Sequence, residues 1–185
     1  MRKQIVITVV LAVFFAGLAH AQTDFFKLVE TGTPQSVQAA IDMGADVNAQ
    51  DRNHKTPLMY AAATGKNPEV ITTLLKAGAD IEARDLRPVG ATSLLWAAYA
   101  NPNPEVTRTL LKAGADIEAR DLQMGRTALI WAVHDNSTEV ITVLLKAGAD
   151  TKVKDKAGYT AFDYAQNREK LKGTDALKEL EEASK

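Results

Sequence analysis

One short phrase, Gly-Ala-Asp, occurs four times in this chain at nearly constant spacing. Its glycines are Gly44, Gly78, Gly114 and Gly148, which lie 34, 36 and 34 residues apart. A fixed period of this length indicates an array of stacked repeats, in which each unit buries its apolar face against the next. Arrays of this kind present extended binding surfaces, so the spacing favours a binding function over catalysis in a closed pocket.

The first 21 residues have the three parts of a secretory signal peptide. Arg2 and Lys3 form the positive start, an apolar stretch of 15 residues follows, and Ala19-His20-Ala21 is a cleavage site of the A-x-A type. The stretch is shorter than the ~20 residues that cross a bilayer, which favours cleavage over retention as a membrane anchor. We therefore expect a mature chain, residues 22–185, that is periplasmic or secreted and has no membrane contact after cleavage.

Composition limits the other function classes. The whole chain has 22 basic and 23 acidic residues, and 20 and 23 remain after cleavage. This near balance gives no reason to expect a nucleic acid or an anionic membrane as a partner. The chain has no cysteine, so disulfides, thiolate metal ligands and a cysteine nucleophile are excluded. Stability must come from stacked apolar faces.

The same helix signals recur in each period. In one unit, Thr56-Pro57 can start a first helix, Asn67-Pro68-Glu69 can start a second, and Gly78 can end it in a left-handed conformation. Thr92 and Thr127 start the corresponding first helices of the next two units. The pattern predicts five helix-turn-helix units, near residues 24–50, 51–84, 85–120, 121–154 and 155–185.

These motifs resemble the ankyrin repeat, whose pattern contains Thr-Pro-Leu-His and Leu-Leu-x-x-Gly-Ala-Asp. Thr56-Pro57-Leu58 and the segment Leu74 to Asp80 match it directly, and the resemblance covers residues 24 to about 170. It implies an all-α solenoid of helix-turn-helix units with β-hairpin fingers, and protein binding through the concave face and the finger tips. The family's His is replaced here by Met59, Leu95, Ile130 and Asp163, so we expect apolar packing to take over its bridging role.

No arrangement of residues predicts chemistry. His54 and His134 lie in different repeats, 80 residues apart, and are expected to face solvent on a finger and at a helix end. A metal site needs ligands that converge. No nucleophile turn, phosphate loop or dinucleotide motif occurs. We expect no catalytic residue, no metal and no cofactor, and therefore no enzyme activity.

Two rows of equivalent residues run along the repeats, and each has two interpretations. Aromatic residues at one first-helix position could form a core ladder or a binding stripe. The residue before each finger's Asp could be solvated and paired with Glu82 and Glu118, or could contact a partner. The first row is Tyr60, Trp96, Trp131 and Tyr164, and the second is Gln50, Arg84, Arg120 and Lys154.

The predicted binding surface lies on the third and fourth units, which have the longest fingers. It combines arginines with apolar and aromatic residues, the composition of an interface core. Its members are Arg84, Leu86, Arg87, Val89, Tyr99, Arg120, Met124 and His134. The sequence therefore predicts a monomeric, non-catalytic interaction module or scaffold for a protein whose identity it does not specify. The alternatives are an immunity-type inhibitor of a toxic protein and an accessory subunit of an exported enzyme.

Overall fold

The computed structural model describes residues 24–86, 89–135 and 138–185, and within these ranges the chain is helical with no β-strand. The predicted signal peptide, residues 1–21, lies outside the described residues. The helices are α1 (24–31), α2 (Pro34–Asp42), α3 (Pro57–Thr64), α4 (Pro68–Lys76), α5 (Ser93–Ala100), α6 (Pro104–Lys112), α7 (Ala128–Asp135), α8 (Thr138–Lys146), α9 (Ala161–Ala165), a 3₁₀ turn (Glu169–Leu171) and α10 (Asp175–Ala183).

Most of the predicted helix starts have the expected caps. The Thr56 hydroxyl accepts the N–H of Met59 at 3.4 Å, and Pro57 occupies the first helical position. Asn103 caps α6 by accepting the N–H of Glu105 at 3.1 Å. Thr92 differs: it stands before α5, but its side chain makes no capping bond and its buried hydroxyl finds no partner in the described structure.

The repeated Gly-Ala-Asp phrase ends the second helix of each of the first four units. Gly78 has a φ of 91°, its N–H bonds to the carbonyl of Leu75 at 3.1 Å, and the next N–H, of Ala79, bonds to Leu74 at 3.0 Å. This is a Schellman termination, which requires the left-handed conformation that glycine adopts without a Cβ penalty. It turns the chain out of α4 toward the next finger.

The helices form two layers. The first helices α3, α5, α7 and α9 pack side by side in chain order, and so do the second helices α2, α4, α6, α8 and α10. Equivalent leucines fill the space between the layers, and Met59, Leu95 and Ile130 are each only 1% exposed. Apolar packing therefore does replace the family's His at those three positions. Asp163 instead caps α9, where its carboxylate accepts the N–H and hydroxyl of Thr160 at 2.7 Å.

The end units close the stack. Phe25 is buried at the first end, and the ring of Phe26 lies 5.3 Å from that of Tyr60. At the other end α10 packs on α8 and α9 and buries Ala176 and Leu180. These contacts cover the two ends of the apolar core, so both terminal units act as caps.

The fingers are hairpin turns too short to form strands. Each is closed by a main-chain hydrogen bond from the N–H of its Asp to a carbonyl just before the next helix; for Asp85 the acceptor is Ala91, at 3.1 Å. One further bond joins each finger to its neighbour, as from Leu122 N–H to the carbonyl of Val89 at 2.8 Å. Four fingers are thereby lined up along one edge of the helix layers.

Candidate functional site

Each finger is held to its own first helix by a carboxylate–aromatic hydrogen bond. Trp96 Nε1 donates to Asp85 Oδ2 at 2.9 Å, and Trp131 donates to Asp121 at 3.0 Å. In the flanking units tyrosines serve the same purpose: the Tyr60 hydroxyl donates to Asp51 at 2.8 Å and that of Tyr164 to Asp155 at 2.7 Å. The indole N–H and phenol O–H groups of the aromatic row therefore have a structural role. This holds whatever the faces of the rings contact.

The same carboxylates also shape the finger turns. Asp85 is fully buried and accepts the N–H of Ala91 at 2.8 Å with its other oxygen. Asp155 accepts the N–H groups of Ala157 and Tyr159 at 2.9 and 3.1 Å. Because the carboxylates satisfy donors inside the finger, their charge is directed inward rather than toward a partner.

These contacts perturb the proton affinities of the groups involved. Burial by itself would raise the pKa of Asp51, but hydrogen bonds from the Lys55 N–H, the Tyr60 hydroxyl and the Asn53 N–H outweigh it, so the pKa is lowered. The pKa of Asp155 is lowered in the same way, against the effect of burial. Burial, and then the hydrogen bond to Asp51, raise the pKa of Tyr60 to about 12. Each pair is thus a stable ionised acceptor and neutral donor at neutral pH.

The faces of the aromatic rings form a row that crosses the repeats. The Lys55 ammonium lies 3.4 Å from the ring centroid of Trp96 in the next unit. Tyr99 meets Trp96 and Trp131 edge-on, at 6.1 and 4.9 Å. The Arg126 guanidinium lies 5.9 Å from Trp131 and 5.4 Å from the ring of the following unit. Cation and ring contacts of this kind orient the exposed side chains before any partner binds.

The arginines of the second row fasten one finger to the next. Arg84 Nη1 donates to the carbonyl of Gly90 at 2.9 Å and to that of Arg120 at 2.7 Å. Arg120 repeats the contact with the carbonyl of Lys154 at 3.0 Å. No ion pair joins these two arginines to the glutamates that precede them in the described structure, so the interpretation as paired surface charges is wrong.

Those glutamates form a second connection between units. The Glu82 carboxylate accepts the N–H of Asp116 at 2.9 Å, and Glu118 accepts that of Asp150 at 2.8 Å. In the first unit Asn48 performs this task and accepts the N–H of Asp80 at 2.8 Å. In the first three units the position therefore satisfies a main-chain donor of the following repeat.

The structure brings together part of the predicted surface. Tyr99, which is 36% exposed, and half-buried Val89 border one cleft with Trp96 and Trp131. Its volume, about 10 Å³, suits a single water molecule rather than a ligand. This surface is therefore shaped for contact with a macromolecule, and its cleft is too small to hold a small-molecule ligand.

The other predicted residues are spread along the fingers and the next unit. Leu86 is 61% exposed at a finger tip, whereas Met124 is half-buried and its carbonyl accepts the N–H of Lys156. His134 is half-buried, with its ring 6.4 Å from Tyr164, and does not simply face solvent as expected. Arg87 lies outside the described residues.

Sequence reasoning missed four residues of this surface. Leu122 and Tyr159 are 60% and 53% exposed on the third and fourth fingers, and Lys55 and Arg126 supply the cations against the rings. Alignment of the fingers on their first Asp would have found Leu122, because it is equivalent to Leu86. The cation contacts join different units and have no local sequence signal.

Other types of site are not found in the described part of the chain. No group of three or more His, Cys, Asp or Glu side chains there could hold a metal ion. His54 lies on the first finger and has a φ of 62°. Its Nδ1 lies 2.8 Å from the side-chain oxygen of Gln50. None of the helices in this part is long and apolar enough to cross a membrane.

Comparison with known proteins assigns the architecture. The family model described as "Ankyrin repeats (3 copies)" matches residues 20–85 and 94–182, which is most of the chain. The chain belongs to the ankyrin-repeat family. Ankyrin repeats are protein–protein interaction modules and typically non-catalytic, in line with the rings, fingers and shallow cleft described above.

Curated relatives match only parts of this ankyrin-repeat chain. It is 44% identical over 52 residues to ankyrin repeat and SOCS box protein 6 of Homo sapiens and of Pongo abelii, which is 25% of this chain and 12% of each relative. It is 37% identical over 67 residues to the ankyrin repeat protein FPV233 of fowlpox virus, 36% of this chain and 12% of that protein. The chain therefore spans about an eighth of the length of the relatives it matches.

Proposed function

We propose that this ankyrin stack is a non-catalytic scaffold that binds a protein partner with its finger tips and the concave face formed by the first helices. One observation carries the proposal. Five large apolar side chains are exposed among the described residues, and four of them lie on the fingers or on α5: Leu86, Tyr99, Leu122 and Tyr159. Apolar residues gathered on one side of a repeat stack are typical of an interaction surface.

The contacts between repeats support this role. Arg84, Arg120 and Glu82 fix neighbouring fingers to one another, and Tyr99 is held between two indole rings. A surface that is ordered before binding loses less conformational entropy when a partner arrives. The same contacts leave no room for a small substrate.

Site-specific photo-cross-linking in the native host tests the proposal. A photoreactive amino acid at position 99 or 122 is expected to form a discrete adduct with a partner protein, and one at Lys76, exposed on the second-helix layer, is not. Adducts only from position 76, or none from positions 99 and 122, would place the partner elsewhere or remove the proposal altogether.

A matched pair of variants tests the contribution of the apolar residues. Replacing Leu86 and Leu122 by Ser should abolish the adduct from position 99 without changing the fold, because both leucines are mostly exposed. Met43→Ser is the control: Met43 is 82% exposed, but it lies at the end of α2, away from the fingers. Equal loss in both proteins would show a nonspecific effect of hydrophobicity.

We also propose that the protein works in the periplasm or outside the cell. The support is the signal-peptide pattern of residues 1–21. Mass spectrometry of the protein from its native host should give a chain that begins at Gln22. An intact N-terminus in the cytosolic or membrane fraction would reject export with cleavage.

A further inference from the structure

We propose that the finger edge recognises an acidic segment of the protein partner. The finger edge is defined here as the described residues 50–56, 84–86, 89–92, 120–127 and 154–160. The inference rests on the proposed protein-binding function and specifies the chemistry of the partner. It follows from how the fold distributes charges that nearly cancel in the whole chain.

The finger edge concentrates positive charge. It contains seven of the 22 basic residues of the chain but only four of the 23 acidic ones, which leaves 15 basic and 19 acidic residues elsewhere. The near-zero net charge therefore conceals a positive edge on a negative body. Fields of this kind steer oppositely charged partners and set the orientation in which they dock.

The four acidic residues are the finger aspartates, and they do not face outward. Asp85, Asp121 and Asp155 are 0%, 2% and 6% exposed. They accept hydrogen bonds from ring N–H or hydroxyl groups and from finger N–H groups, as does the fourth, Asp51. The charged groups that this edge presents to a partner are therefore mostly cations.

Most of the cations are oriented but not neutralised. Arg84 and Arg120 donate only to carbonyl oxygens, and so does Lys156, whose ammonium lies 2.7 Å from the carbonyl of Leu122. Carbonyl oxygens orient a cation without carrying an opposing net charge. The side chains of Arg52 and Lys154 are exposed and make no hydrogen bond or ion pair to another described residue. Within the described part of the edge, only the cation of Arg126 pairs with a carboxylate, that of Asp155 at 3.5 Å.

The order of residues along the finger tips favours a peptide over a polyphosphate. Arg52, Leu86, Leu122 and Lys156 each follow the first Asp of a finger, so this row has exposed leucines in the middle and cations at both ends. A segment with apolar residues between carboxylates matches that order. A nucleic acid backbone, with one phosphate after another, would face two leucines at the centre of the row.

Fluorescence anisotropy with synthetic peptides tests the inference. Four fingers spaced by about 10 Å, the usual separation of packed helices, span about ten extended residues. The probe is therefore a peptide of about this length with two central leucines flanked by glutamates. It should bind, and binding should weaken as salt screens the charges. The same peptide with Gln for Glu should bind several-fold more weakly.

Variants of equal charge provide the control. Arg52→Gln with Lys154→Gln should weaken binding of the glutamate peptide by about three- to tenfold, as expected for two exposed charges at the rim of an interface. Lys76→Gln with Lys112→Gln removes the same charge from the second-helix layer, where both residues are exposed, and should leave binding unchanged. Thermal unfolding of the parent, the two double variants and a Leu86→Ser variant verifies that all of them retain the fold.

Three results would overturn the inference. They are no binding of the glutamate peptide, equal binding of the glutamine peptide, and tighter binding of an oligothymidine of similar length. None of them affects the proposed protein-binding function, which fails separately if positions 99 and 122 give no protein adduct in the native host.

Discussion

The guanidinium of Arg84 donates a 2.7 Å hydrogen bond to the main-chain carbonyl of Arg120, the equivalent residue of the next repeat. The same nitrogen donates to the carbonyl of Gly90 in its own finger at 2.9 Å. One side chain therefore stabilises a hairpin turn and links it to the following unit. Since Arg120 makes the equivalent contact with Lys154, side chains and single main-chain bonds hold the finger edge together in place of a strand ladder.

Replacing Arg84 by Met should lower the free energy of unfolding by about 1–3 kcal/mol, because two bonds from a charged donor are lost while the aliphatic stem is kept. Urea denaturation measures the change. Arg52→Met is the control: Arg52 is exposed and bonds to no described residue, so its loss should stay within about 0.5 kcal/mol. Equal effects at both positions would mean that the contact between fingers contributes nothing.

Asp85→Ala should be more damaging, with a loss of about 2–5 kcal/mol. The fully buried carboxylate accepts hydrogen bonds from the Ala91 N–H and from Trp96 Nε1, and its removal leaves both donors unsatisfied. Adding Trp96→Phe removes one of these donors. A double-mutant cycle by urea denaturation should therefore give a coupling of about 0.5–3 kcal/mol. Strict additivity would contradict the bond.

The two leucines near the end of α6 should differ. Leu110 is 0% exposed, so Leu110→Ala should cost about 2–5 kcal/mol through lost burial and a cavity. Leu111 is half-buried, and its replacement by Ala should cost clearly less. Calorimetric or urea melts of the two variants decide the order, and a reversed order would show that the register of α6 is wrong.

Gly114→Val should destabilise the stack by more than about 1 kcal/mol for a conformational reason alone. Gly114 has a φ of 94°, and a Cβ added there would meet no atom within 4 Å. Gly114→Asn is the comparison, because Asn enters the left-handed region more readily than a β-branched residue. If the two variants melt at the same temperature, steric exclusion and not backbone conformation governs the site.

Stability should fall at both extremes of pH. The pKa values of Asp51 and Asp155 are lowered, so their contribution is present above the unfolded value of about 3.9 and is lost as pH falls through the folded values. Tyr60 has its pKa raised to about 12, so its contribution is complete below about pH 10 and is lost as pH rises through about 12.

A plot of melting temperature against pH should therefore have an acid limb and an alkaline limb. Two substitutions separate the contributions to these limbs in thermal melts across the pH range. Asp155→Asn should flatten the acid limb, and Tyr60→Phe should flatten the alkaline one. The exposed carboxylate of Glu182 has no hydrogen bond or ion pair with another described residue, so Glu182→Gln should leave both limbs unchanged. An acid limb that is as steep in the Asn variant as in the parent would assign the loss to other carboxylates.

The sequence by itself determined the repeat period, the helix starts at Thr56, Asn67 and Asn103, and the helix end at Gly78. These features depend on residues that interact within one or two turns, so they can be recognised in a single unit. The family followed from the same local pattern. So did the apolar nature of the stack, since one unit cannot bury its own face.

Only the tertiary structure decided which side chains lie on the outer surface of the fingers. Arg84 and Arg120 are 36 residues apart, and the sequence left open whether such arginines pair with nearby glutamates or reach outward. Stacking placed their donors on the carbonyls of the next finger, turned the finger aspartates toward the rings, and gathered the remaining cations along one edge. The reason is physical: these contacts join different units, and their energies depend on distances that exist only after the repeats have packed.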